Sequence, residues 1–265
     1  MAQLVPMLPP PHLAELELGR APIRFRDLAP RNRPIHPDLD EALLQTSPRG
    51  VLALTAAMAE WALWRVDGQH ESDTSALIAA MWAVAVHPSY LAPFRLDELP
   101  PASDPGWANP AQSAVWHVQR LHRRVVEGMI GYAEVQELRH WCLHVLPKPV
   151  RERFDDWLIE TATMIAMLAQ ATPETFTTCT EQRPDPETQR ALVWGRAFTR
   201  DEFACDLLDD EARVASLDAF LRSLDPASNP YLCPREQVAA NRCWRGFTDE
   251  IPGLTGEPYR FTGDE

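Results

Sequence analysis

The stretch SPRGVLALTAAMAEWALWRV, residues 47–66, decides the fold of this chain. It begins with Ser47 and Pro48, which form a helix start: a capping residue followed by proline at the first helical position. Nearly every side of the helix that follows is apolar, and Trp61 and Trp64 lie within it. Because a helix that is apolar all round belongs in a protein interior, the stretch predicts a buried central helix.

Two further apolar runs have helical spacing and carry a tryptophan each. They are ALIAAMWAVAV at 76–86 with Trp82 and FDDWLIETATMIAML at 154–168 with Trp157. The 25 prolines of the 265-residue chain cluster between such runs and separate them. Since no segment alternates like an amphipathic strand, the pattern predicts an all-α fold with a large helical core.

The positions of these proline clusters also predict the domain organisation. A single multi-helix domain is expected over 47–225, with two related helix–turn–helix units at 47–108 and 109–172 as an alternative subdivision. Residues 1–46 are expected to form an irregular Pro-rich arm with one short helix near His12–Leu18, and residues 226–265 an irregular tail packed on the core.

Charge and cysteine usage limit the class of protein. The net charge is −13, and residues 160–231 carry 13 acidic against 6 basic side chains. This balance argues against nonspecific binding to nucleic acid or to an anionic membrane and suits a basic protein partner. The longest apolar run, Val51–Trp64, is too short to span a bilayer. With five cysteines, no CxxC spacing and no secretory signal in MAQLVPMLPPPHL, a cytoplasmic protein with reduced thiols is expected.

The densest acidic stretch is RDEFACDLLDDEAR at 200–213, and it is the predicted partner-binding surface. Asp209 or Asp210 is also expected to cap a helix, with Glu211 in its first turn. The alternative is a solvated helix face without a partner. The predicted binding residues are Asp201, Glu202, Asp206, Asp209, Asp210 and Glu211.

Glu60 is the most unusual charge in the sequence because it lies in the middle of the central apolar helix. A buried carboxylate must be paired or protonated. One interpretation is a general acid or a ligand-binding carboxylate. The favoured interpretation is a structural ion pair with an arginine on a neighbouring helix.

A second candidate is EVQELRHWCLH at 134–144, where Glu137, His140 and His144 share one helical face. The spacing suits metal ligation, but a carboxylate-bridged centre needs further ligands from other helices. A polar helix face is therefore favoured, and neither a metal nor a cofactor is expected. His117 and His122, with the arginines around them, are interpreted as a solvated basic face.

Catalytic motifs are missing from the sequence: there is no GxSxG, P-loop, GxGxxG, HExxH or EF-hand loop. The chain is therefore expected not to be an enzyme. The alternatives are an α-helical enzyme or ligand-binding protein with a site at Glu60 or at Glu137, His140 and His144, and an adaptor or chaperone for a secreted effector.

Motifs in two regions of the sequence resemble a known class of proteins. AEWALWRVDG and AMWAVAVHPSYL lie within 59–91, and NPYL-x-P-x-E, GF and GEPYRF lie within 229–261. They look like helical cytosolic immunity-type partners of secreted type VI or Rhs-like bacterial toxins. The resemblance implies a protein that binds and neutralises a cognate toxin, and the acidic stretch at 200–213 would meet a basic surface on that toxin.

Overall fold

Nine α-helices and no strand occur in the part of the chain that the structure, a computed structural model, describes. The all-α prediction is confirmed. Within the described ranges, no helix is long and apolar enough to cross a membrane. The described residues are 7–14, 16, 36–67, 74–92, 110–128, 132–168, 195–203, 207–239 and 257–263. The helices are α1 Pro11–Ala14, α2 Pro37–Leu44, α3 Pro48–Val66, α4 Thr74–Val86, α5 Pro110–Gly128, α6 Tyr132–Val145, α7 Lys148–Leu168, α8 Asp210–Ser223 and α9 Arg235–Ala239.

Helix α3 is the centre of the molecule, as its sequence predicts. The Ser47 side chain accepts a hydrogen bond from the Gly50 amide, and Pro48 stands in the first turn. Every residue of α3 except Trp64 is buried, and the helix packs on α4, α5, α6 and α7. Gly50 is required near the start of α3 because an added Cβ would lie 2.8 Å from Ile165 Cγ2 in α7.

Helix α2 corrects the prediction of an irregular arm over residues 1–46. Pro37 begins this helix, and Leu39, Ala42 and Leu43 are buried against α7. Their spacing of three and four residues is that of one helical face. The prolines around 22–37 made the whole segment look irregular, although a proline in the first helical turn is compatible with a helix.

Residues 195–203 also differ from expectation, because they lie within the helical domain predicted over 47–225 but form no α-helix. Positions 195–199 have no regular secondary structure, and only a 3-10 turn, Asp201–Phe203, follows. The carbonyl oxygen of Gly195 accepts from Arg49 Nη1 at 3.2 Å, and that of Ala197 accepts from Arg213 Nη1 at 2.8 Å. These two carbonyl oxygens are therefore hydrogen-bonded to arginine side chains, so they do not need the backbone hydrogen bonds of a helix.

The described part of the tail packs on the core. Tyr259 and Phe261 are buried, and the Tyr259 ring stacks on Tyr90 with centroids 4.3 Å apart. The Tyr259 hydroxyl donates to the Cys233 carbonyl at 2.6 Å. The Tyr259 amide also donates to the Tyr90 hydroxyl at 3.1 Å, so this part of the tail is joined to the 3-10 turn Pro88–Tyr90 after α4 by both stacking and a hydrogen bond.

Candidate functional site

The Glu60 carboxylate is the most elaborate polar centre among the described residues. Glu60 is buried in the middle of α3. Arg200 donates to it twice, from Nε to Oε1 at 2.7 Å and from Nη2 to Oε2 at 2.6 Å. The Trp64 indole donates to Oε2 at 2.9 Å, and the Trp82 indole of α4 donates to Oε1. Both carboxylate oxygens therefore accept two hydrogen bonds each.

This arrangement shows how the charge of Glu60 is accommodated inside the central helix. Its charge is neutralised by a bidentate arginine, the strongest common form of charge-assisted pairing. The partner is an arginine, as favoured, although Arg200 comes from the irregular segment 195–203 and not from a neighbouring helix. Glu60 thus connects α3, α4 and that segment.

The N-terminal segment lies beside this centre. Arg200 Nη2 also donates to the Leu8 carbonyl at 2.7 Å. His12 of α1 stacks on Trp157 with centroids 5.5 Å apart and contacts Trp61 at 5.7 Å. Burial lowers the pKa of His12, and the charge of nearby Arg200 lowers it further, while Glu60 opposes the shift. His12 is therefore a neutral member of an aromatic cluster at neutral pH.

Sequence reasoning missed both Arg200 and His12. Arg200 lies 140 positions from Glu60, and no local spacing connects the two. His12 was expected only as part of a short helix. The aromatic content of α3 and α7 was a signal that something must cover Trp61 and Trp157, but it did not specify which segment.

The predicted acidic surface is only partly present. The side chains of Asp201, Asp209, Asp210 and Glu211 are exposed, whereas Asp206 lies outside the described residues. Asp209 caps α8 through a 2.8 Å hydrogen bond that its carboxylate accepts from the Ala212 amide. The cap prediction therefore holds for Asp209.

Glu202 does not lie on an exposed surface, which corrects its assignment as a partner-binding residue. Its side chain is 0% exposed and pairs with Arg196. Its Oε2 accepts from the Thr199 amide at 2.8 Å. Glu202 therefore holds the turn at 199–203 in place, two positions after Arg200 in the sequence, and contributes no charge to a docking surface.

Asp210 is exposed, but its carboxylate forms ion pairs with two arginines. Its Oδ1 accepts from Arg196 Nη1 at 3.3 Å and from Arg213 Nη2 at 3.2 Å. The Asp210 side chain stays 82% exposed while the Arg213 side chain is 4% exposed. The strongest contribution to an acidic surface is consequently expected from Asp201, Asp209 and Glu211.

The metal alternative at Glu137, His140 and His144 finds no support in the geometry. Glu137 is engaged by Arg120 and lies 4.0 Å from Arg124 Nη1, and Arg124 also pairs with Glu134 at 2.7 Å. Within the described ranges, no group of three or more His, Cys, Asp or Glu side chains is placed to hold a metal ion. Glu137 therefore serves the contact between α5 and α6.

His117 and His122 are buried, so the prediction of a solvated basic face is wrong for them. Only 7% of His117 and 3% of His122 is exposed. His117 stacks on Trp141 with centroids 3.8 Å apart. Burial lowers the pKa of His117 to about 3 and that of His122 to about 4, so both imidazoles are neutral at pH 7.

Two of the cysteines lie within the described residues, and they differ in oxidation state. Cys142 is a free thiol buried against α3, and burial raises its pKa, so it is unreactive. Cys233 is disulfide-bonded, and its partner lies outside the described residues. The expectation that the thiols are reduced does not hold at Cys233.

Comparisons of the chain with protein-family models, with curated proteins and with solved structures found no match.

Proposed function

We propose that this chain is a non-catalytic binding protein that engages a basic surface of a partner protein through Asp201, Asp209, Asp210 and Glu211. The partner is a cognate bacterial toxin, and binding neutralises it in the manner of an immunity protein. The supporting observation is the exposure of these four carboxylates around the start of α8. This surface is narrower than the sequence suggested because Glu202 is buried.

The charge distribution supports a role in association. Exposed carboxylates of one sign attract a basic partner from solution and accelerate its encounter. Asp209 is held by its cap to α8, so its carboxylate has a fixed position. Asp210 is fixed by Arg196 and Arg213 while remaining exposed. Fixed side chains lose less conformational entropy on binding than mobile ones do.

The geometry favours this proposal over a catalytic site at Glu60. Both oxygens of Glu60 are occupied by Arg200 and two indoles, so a substrate would have to displace a bidentate arginine. We assign Glu60 to the scaffold.

A capture experiment tests the proposal. The bait is the full chain, in wild-type form or as the surface variant Asp201→Lys/Asp209→Asn/Glu211→Lys, in which asparagine preserves the cap of α8. The control variant is Asp38→Lys/Glu41→Lys, which changes exposed carboxylates of α2 and alters the net charge by nearly the same amount.

Lysates of the native bacterium are passed over each bait, and retained proteins are identified by mass spectrometry. We expect a basic protein that the wild type and the control variant retain and that the surface variant loses. Added to cells that express the captured protein, the wild type should suppress its toxicity. If every bait retains the same proteins, the surface does not bind a partner.

A further inference from the structure

The described N-terminal residues, 7–14 and 16, form a strap that is hydrogen-bonded to two other parts of the chain. The Met7 amide donates to Ser75 Oγ of α4 at 2.7 Å. The Leu8 carbonyl accepts from Arg200 Nη2 at 2.7 Å. Because Arg200 also pairs with the buried carboxylate of the central helix, the strap is connected directly to the polar centre of the molecule.

The conformation of the strap depends on its contact with the core. Its helix α1 is a single turn, in which the amides of Leu13 and Ala14 donate to the Pro10 carbonyl at 2.8 and 2.9 Å. A helix of one turn is not stable by itself in water. Leu13 is 1% exposed, and its burial supplies stabilisation that the isolated turn lacks. The strap is therefore either docked with α1 formed or released with α1 unfolded.

His12 is the titratable residue of this contact. Its ring stacks on Trp157 of α7, with the two planes 16° from parallel, and contacts Trp61 of α3. Its Nδ1 atom is buried, and no hydrogen-bond partner for it lies within the described ranges. A neutral imidazole carries a donor on one nitrogen, whereas a protonated imidazole carries a donor on both. Protonation in the docked strap therefore buries a charged donor without an acceptor, which is unfavourable.

The charges around His12 also oppose its protonation. The charged groups that act on it are Glu60 of α3, Arg200 of the segment 195–203 and Arg153 of α7. Glu60 attracts a cation, but both of its oxygens already accept hydrogen bonds from Arg200 and from two indoles. Burial is the largest cause that lowers the pKa of His12; Arg200 and Arg153 lower it further, and Glu60 offsets them only in part.

We propose that the strap acts as a pH-sensitive switch: protonation of His12 releases it from the core and uncovers Trp157 and Trp61. In the released strap His12 has its ordinary pKa near 6.5, whereas the docked strap resists protonation. Docking is therefore strongest above pH 6.5 and weakens as the pH falls below that value. The switch concerns the attachment of the strap itself, so it goes beyond the proposed acidic surface and does not depend on it.

Amide hydrogen exchange on the full chain measures how firmly the strap is docked. The peptide that spans 7–16 is followed by mass spectrometry between pH 7.5 and pH 5.0. Its exchange rate is expressed at each pH relative to that of the same peptide when unstructured, which removes the intrinsic effect of pH. We expect its protection to fall about tenfold, with the fall beginning near pH 6.5. The α3 peptide 51–63 should remain protected at pH 5.0, because the strap leaves a folded core.

Two variants that cannot be protonated at this position provide the control. His12→Phe keeps an aromatic ring on Trp157, and His12→Gln keeps a polar group where phenylalanine does not fit. In both, the protection of the strap should be the same at pH 7.5 and pH 5.0. The wild-type series stands even where neither variant docks its strap. The proposal is overturned if wild-type protection stays constant, if it falls only together with that of α3, or if a variant with a docked strap loses protection as the wild type does.

Discussion

Arg200 and Glu60 form a buried bidentate ion pair across 140 positions of sequence, with Nε 2.7 Å from Oε1 and Nη2 2.6 Å from Oε2. Trp64 and Trp82 complete the coordination of the same carboxylate. The pair brings residues 195–203, just before α8, against the central helix α3. It therefore supports the turn from which the proposed binding surface begins at Asp201.

Removing Arg200 should destabilise the protein strongly. In Arg200→Gln the carboxylate of Glu60 remains buried with only its two indole donors, and breaking a buried pair in this way costs about 3–5 kcal/mol. Unfolding in urea measures the loss. The control is Arg222→Gln, which removes an exposed arginine from Asp218, and the loss should be no more than about 1 kcal/mol because Asp218 keeps its hydrogen bonds from Arg260 and Phe261. Equal losses in the two variants would show that the Glu60 pair is not structural.

Acid should destabilise the protein through its buried histidines. The pKa of His122 is lowered from 6.5 to about 4 by burial, so the unfolded chain binds protons more readily than the folded one does. The contribution is fully present above pH 6.5 and is lost as the pH falls toward 4, and it amounts to about 3 kcal/mol at most. His117, with a pKa of about 3, acts in the same direction.

The variant His122→Gln isolates this contribution. Its free energy of unfolding should fall less steeply between pH 7 and pH 4.5 than that of the wild type, because one titrating group is gone. Urea unfolding at each pH provides the comparison. Parallel curves for the two proteins would contradict the assignment.

Gly195 should be intolerant of substitution. Its φ is +73°, and an added Cβ would lie 2.3 Å from the Ser47 side chain at the start of α3. Gly195→Ala is expected to cost at least about 2 kcal/mol, from backbone strain and the clash together. Gly263 is the matched control because its φ is also positive, +142°, while nothing lies within 4 Å of its added Cβ. A thermal shift as small for Gly195→Ala as for Gly263→Ala would show that the contact with Ser47 is loose.

The disulfide at Cys233 makes a further prediction. Under denaturing, non-reducing conditions at most three of the five cysteines should react with a thiol reagent. Reduction should destabilise the native protein by about 2–4 kcal/mol, which a melting curve with and without reductant measures. Five reactive thiols in unreduced protein would contradict the bond and restore the expectation of reduced cysteines.

Local sequence patterns were sufficient to predict the long helices but not to predict the hydrogen-bond partners of Glu60. Ser47-Pro48 marked the start of α3 correctly because a cap and a first-turn proline act within a few residues. The irregular conformation of 195–199 could not be predicted locally, because Arg49 and Arg213, which donate to the carbonyls of Gly195 and Ala197, are distant in sequence. The burial of Glu60 was predictable from its apolar neighbours, whereas its partner was not. A run of charged residues did not show which of its side chains are exposed, since 200–213 contains both the buried Glu202 and the exposed Glu211.

The proposed surface is tested most directly by the rate of association between this chain and the captured partner as salt is varied. For the wild type we expect rapid association at low salt that slows steeply as screening increases. The variant Asp201→Lys/Asp209→Asn/Glu211→Lys should associate about tenfold more slowly at low salt and depend much less on salt. The control variant Asp38→Lys/Glu41→Lys should behave like the wild type. Identical rates for wild type and surface variant across the salt series would contradict the proposal that these carboxylates receive the partner.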